Sequence, residues 1–268
     1  MGQRTKRCGI TLFIILLLFI PQIIYAESSS DNYGFDTARS IANFMETHYE
    51  VTILIGSECD GVTTGGFTIG EKAKGRTPFM DAAGLFNYTE EIQMIDDAFA
   101  IYPPEFFTRF KCNEAPKGLR ILLPNQIVYE GQTMSGVTTS EEGYYNIFLG
   151  IGAFTELNIH HEIWHAMEYR ITDEYPDAFS GWNQLNPKGF TYSKDYLEQD
   201  IWEQAELKDD WFVRGYSVID EMEDRATVIE AIFRYDDDWW AAHPHIEKKR
   251  DFLLDAAEPV FGPVYYHE

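Results

Sequence analysis

Two histidines, His161 and His165, enclose a glutamate in the run His161-Glu162-Ile163-Trp164-His165. That spacing is just over one helical turn, so on a helix both imidazoles leave the same face and can grip one cation. Glu162 is then placed to take a proton from a water bound to that cation. The chemistry such a set supports is metal-assisted hydrolysis, with zinc the metal that suits these ligands.

The surroundings are those of a buried helix. Residues 154–170 contain neither Pro nor Gly, and Ile159, Ile163, Trp164, Ala166 and Met167 surround the motif with apolar neighbours. A helix that is apolar on several sides packs inside the protein. Buried imidazoles need partners, and a cation supplies one. His160 has Trp164 one turn on, so it lacks a helical ligand partner and reads as a supporting or structural residue.

A catalytic zinc keeps three protein ligands and one position for water, so a third ligand must come from farther along. No histidine follows at the short spacing with glycine that marks metzincins. The remaining candidates are His243, His245 and His267, or a carboxylate from 216–230, YSVIDEMEDRATVIE, which offers Glu221, Glu223 and Glu230. Glu168, one turn past His165, and Asp224 are candidates to orient a ligand histidine.

The pattern of His161-Glu162-x-x-His165 with a later Glu223-Asp224-Arg225-Ala226 resembles the gluzincins. The resemblance implies that Glu223, on a downstream helix, is the third zinc ligand, with one Zn2+ per chain. Tyr216 stands two helical turns before Glu223, an offset similar to that in Pro-Pro endopeptidases and lethal-factor-like peptidases. It implies a Tyr216 hydroxyl bonded to the developing oxyanion. Trp182-x-x-Leu185-Asn186-Pro187-x-x-Phe190-x-Tyr192 is similar to a stretch of exported bacterial zinc-binding metallopeptidases. The resemblance spans roughly residues 144–235, and the interval from His165 to Glu223 is long beside compact gluzincins. The function implied is a zinc-dependent metalloendopeptidase with Glu162 as general base and a peptide or protein substrate. The alternative is a catalytically silent relative that keeps zinc and binds a cell-surface or peptide partner.

The rest of the chain bounds where this chemistry would happen. Arg4, Lys6 and Arg7 precede an apolar run from Ile10 to Ile24, and Ile24-Tyr25-Ala26 offers a cleavage site. This reads as a signal peptide, residues 1–26, and a secreted or extracytoplasmic location. The run is shorter than the ~20 residues a membrane span needs, so no stable membrane insertion is expected after cleavage. Three of the 21 basic residues and none of the 44 acidic ones lie before residue 27, leaving the remainder more acidic than the formal −23 of the whole chain. Such a surface disfavours nucleic acid and anionic membranes as partners. Asp236-Asp237-Asp238 reads as solvated surface. Cys59 and Cys112 are the cysteines left after cleavage; an exported pair most often forms a disulfide, worth about 4 kcal/mol in the chain-entropy picture, the alternative being two free, separate thiols.

Residues 27–268 predict a single catalytic domain of small, zincin-like α+β architecture. Its mixed helix-and-strand lobe runs over about 35–153, the active-site helix over 154–170 and a mainly helical lobe over 171–268. Residues 35–49 form a helix striped by Ile41, Phe44, Met45 and Tyr49. Strands are expected at 51–55, 119–123 and 144–149. A second helix opens at an Asn87-x-x-Glu90 capping box, carries Ile92, Ile95, Phe99 and Tyr102, and stops at Pro103-Pro104. An irregular stretch over 172–196 and helices near 197–206, 217–234 and 246–257 complete the reading. Tyr145 to Leu149 is either an edge strand that could pair with an extended peptide or an interior strand.

Overall fold

The computed structural model describes residues 35–70, 88–194 and 210–263. Helix α1 (Phe35–Tyr49), strand β1 (Thr52–Ile55), a 3-10 turn (Gly56–Cys59) and strand β2 (Thr68–Ile69) come first. Helices α2 (Tyr88–Phe99) and α3 (Pro104–Thr108) lead into strands β3 (Leu119–Leu123), β4 (Ile127–Tyr129), β5 (Gln132–Thr133), β6 (Gly136–Glu141) and β7 (Tyr144–Leu149). Helix α4 (Glu156–Glu174) carries the histidine motif. After 3-10 turns at Trp182–Leu185 and Gly215–Val218 come α5 (Glu221–Arg234), α6 (Asp237–Ala242) and α7 (Pro244–Phe261). The fold is α+β, as expected. The signal segment, Asn87, the helix expected near 197–206 and His267 lie outside the described residues. No described helix is long and apolar enough to cross a membrane.

The main sheet has the order β1-β3-β7-β6, with β1, β3 and β7 parallel and β6 antiparallel to β7. Side chains of a strand alternate between faces, and here both faces are covered. Ile53, Ile121, Ile147 and Leu149 join the large core with the helices. Leu122 and Phe148 point the other way, into a small cluster with Cys59 and Ile127. Double coverage explains why 119–123 and 144–149 read as apolar runs.

The structure departs from several of these expectations. Tyr144–Leu149 is interior, between β3 and β6; among the described residues the edge strands of this sheet are β1 and β6. Gly136–Glu141 is too polar to announce itself, since its sequence is GVTTSE. In α1 the buried stripe is Ala38, Ala42, Met45 and Tyr49, while Phe44 is 56% exposed. Pro104 does more than end a helix: it opens α3 at a position where its missing N–H costs nothing. Helix α4 continues to Glu174, four residues beyond the expected end. Asp236 caps α6 by accepting from the Trp239 N–H at 3.1 Å.

The disulfide does not form. Both thiols are free. Cys59 belongs to the small cluster and bonds the Leu54 carbonyl at 3.4 Å. Cys112 packs against the large core and meets the Tyr145 hydroxyl at 3.2 Å. Sequence spacing carries no information about which face of a sheet a cysteine will occupy.

Candidate metal centre

Helix α4 is buried from Ile159 to Met167 and continuing through Glu168. At its start the Asn158 side chain accepts the Thr155 N–H at 2.9 Å, which fixes the first turn. It packs against β6 and β7 on one side and α5 on the other. Helix α5 begins at a defined residue because the Asp220 carboxylate accepts from Met222 N at 2.8 Å and Glu223 N at 2.9 Å. That cap sets Glu223 in the first turn. Glu230, two turns later, lies on the same face.

His161, His165 and Glu223 converge, their ligand atoms all within 4.8 Å of one another. His161 Nε2 is 3.0 Å from His165 Nε2 and 3.0 Å from Glu223 Oε2, and His165 Nε2 is 3.5 Å from the same oxygen. Glu230 Oε1 sits 2.7 Å from His161 Nδ1 and takes its proton as acceptor. A neutral His161 then turns its Nε2 lone pair toward a carboxylate oxygen and a second imidazole nitrogen. Three lone-pair donors facing one point fit a cation, and two imidazoles with one carboxylate suit zinc. With protons alone in that space, burial would depress His161, yet its bonds to Glu223 and Glu230 hold it up at about 10. Burial opposes ionisation of Glu223, but the neighbouring His165 and His161 pull its pKa well below the ordinary carboxylate value.

Glu230 thus bonds the Nδ1 side of His161, away from the Nε2 that faces His165 and Glu223. It also receives Arg214 Nη2 at 2.7 Å and Arg214 Nε at 3.0 Å. Carboxylate partners of this kind fix the tautomer and ring angle of a ligating histidine. Glu230→Gln is expected to weaken zinc binding about 10- to 100-fold, measured by competition with a chelating dye. Unchanged affinity would remove Glu230 from the site. The sequence offers Glu230 as an alternative third ligand on the same helical face as Glu223; the structure places it on the Nδ1 side of His161.

Tyr216, in the 3-10 turn before α5, lines the same cleft, its ring centroid 6.0 Å from that of His161. Burial and the charges of Glu223 and Glu162 keep its hydroxyl protonated, so it is a donor. Arg214 lies over its ring at 4.8 Å. Glu162 faces the cleft, and burial raises its pKa against the pull of His165 and His161. The cleft has a volume of about 310 Å³, and β6 contributes Gly136, Val137 and Thr138 to its wall. Thr138 and Gly136 carried no recognisable signal in the sequence.

The other candidates sit elsewhere. His160 stacks on Phe233 at 3.6 Å and bonds the Tyr102 hydroxyl at 2.8 Å, so it is structural. Burial pushes its pKa down to about 4. Glu168 does not reach a histidine; it pairs with Arg225 in the interior. Asp224 neither orients a histidine nor pairs with Arg225. It accepts from Lys249 Nζ at 2.8 Å, the Tyr192 hydroxyl at 2.8 Å and Trp182 Nε1 at 3.2 Å, while Asn186 Nδ2 bonds Tyr192 at 2.8 Å. The Trp182-to-Tyr192 stretch is thus a polar wrapping around Asp224. His243 bonds the Trp239 carbonyl and His245 stacks on Trp211, both outside the cleft lining.

No protein-family profile matches the chain, and no curated protein matches it. A solved structure from Bacteroides caccae ATCC 43185, provisionally named a zinc-binding metallo-peptidase, aligns with a TM-score of 0.44 at 13% identity. The alignment covers 88% of this chain and 90% of that one.

Proposed function

We propose that this protein is an exported zinc-dependent metalloendopeptidase. The observation that carries the reading is the convergence of His161, His165 and Glu223 within 4.8 Å beside Glu162 in an open cleft. His161, His165 and Glu223 would hold the metal, leaving a position on the cleft side. Zinc bound there supplies a Lewis acid that lowers the pKa of water toward about 7 and polarises the scissile carbonyl.

The chain's own groups do the rest. Glu162 takes a proton from the attacking water and later delivers it to the leaving amine, a transfer its raised pKa assists. Tyr216, held protonated, donates a hydrogen bond to the oxyanion. The edge of β6 offers backbone donors and acceptors to a peptide laid along it, which would carry the scissile bond past Glu162. The apolar run before residue 26 supplies the export reading.

The test is metal analysis of the purified mature chain with cleavage of a mixed peptide library read by mass spectrometry. About one zinc per chain with discrete cuts is the expected result. Zinc without cuts would support the silent, partner-binding alternative. No zinc would end the reading. Glu223→Ala is expected to lose most of the zinc, whereas Glu221→Ala, which removes only an acceptor for Asn183 Nδ2, retains it. Equal retention in the two would send the third-ligand assignment elsewhere.

A further inference from the structure

Two positions of β6 close around Glu162. Residues two apart on a strand face the same side. Val137 packs on the small cluster beyond the sheet, so Gly136 and Thr138 face the opposite way, toward α4. Thr138 Oγ1 lies 2.6 Å from Glu162 Oε2 and 3.2 Å from the Glu162 carbonyl oxygen. A hydroxyl has one hydrogen to give, and the short bond to the charged oxygen is the one that uses it.

Gly136 acts through space rather than through backbone freedom. It is absent from the glycines of positive φ, so nothing in its backbone demands glycine. A Cβ built there would stand 2.5 Å from Glu162 Oε1, 2.8 Å from Cγ and 2.9 Å from Cδ. The carboxylate therefore packs where a side chain at 136 would be, and any Cβ there would require it to shift. An unanchored glutamate has several rotamers open to it, and holding one of them fixes where its oxygens lie.

We propose that Thr138 and Gly136 are positioning residues for the general base. The Thr138 hydroxyl occupies Oε2, the missing side chain at Gly136 leaves room for the carboxylate, and Oε1 remains as the oxygen that accepts the proton. This rests on the reading of Glu162 as general base given above.

The experiment compares Thr138→Val, Thr138→Ser and Gly136→Ala in the full mature chain by zinc content, steady-state kinetics and crystal structure. All three are expected to keep about one zinc, because no ligand is touched. Thr138→Val is expected to lower kcat about 10- to 100-fold with KM changed less than about twofold. Thr138→Ser restores most of that loss, since it returns the hydroxyl. In the structures of Thr138→Val and Gly136→Ala the Glu162 carboxylate is displaced from its place beside β6. A Thr138→Val enzyme with wild-type kcat would overturn the proposal, as would a serine variant no better than the valine one. An unmoved Glu162 in both structures would do the same. If the wild type holds zinc but cleaves nothing, the peptidase reading alone fails. The crystallographic position of Glu162 still decides the positioning claim.

Discussion

Glu162→Gln is expected to retain about one zinc per chain and to lose about 100- to 10,000-fold in kcat. The change is isosteric, and Glu162 is not among the three converging ligand atoms, so the metal site is left whole. The Thr138 hydroxyl at 2.6 Å can still donate to the amide oxygen. What disappears is an oxygen able to accept and return a proton. Metal analysis beside a cleavage assay reads both halves of the prediction. Activity near wild type would mean that another group takes the proton. Loss of zinc with loss of activity would mean that Glu162 shapes the site rather than the reaction.

The second large effect concerns stability. Lys249 Nζ and Asp224 Oδ2 are 2.8 Å apart with both side chains fully buried. Lys249 also donates to the Trp211 carbonyl at 2.9 Å and lies over the Phe212 ring at 4.1 Å. Lys249→Met keeps the apolar contacts but leaves a buried carboxylate without its cation, at a cost of about 3–5 kcal/mol. Urea unfolding measures it. The double variant with Asp224→Asn is expected to recover a large part, because the uncompensated charge is what costs most. A single variant as stable as wild type would show that Asp224 is already neutral or reached by water.

How much of this was visible beforehand follows from the kind of signal each part carries. The helix over the motif and the strands at 119–123 and 144–149 were legible because burial on every side writes itself as apolar composition. The pairing of His161 with His165 was legible because helical geometry is local. Glu223 needed a resemblance, since no local rule chooses among three glutamates on one helix. Strand β6 was missed because an edge strand with one hydroxyl-rich face looks like a loop, and with it went Thr138 and Gly136. The failed disulfide and the true partners of Glu168 and Asp224 share one cause. Each depends on which residues meet across the fold, between elements far apart in the chain.

The ion pairs behind the site have one more consequence. Glu168–Arg225 ties α4 to α5 and Asp224–Lys249 ties α5 to α7, and neither pair uses a ligand atom. In zinc fingers the metal itself organises the chain, so removing it unfolds the domain. Here the helices that carry His161, His165 and Glu223 are clamped by ion pairs that do not depend on a metal ligand atom. Metal loading would then be capture by a cradle already held in place by its helices. Chelation is expected to leave the far-ultraviolet circular dichroism intact while lowering the melting temperature by an amount that tracks free zinc.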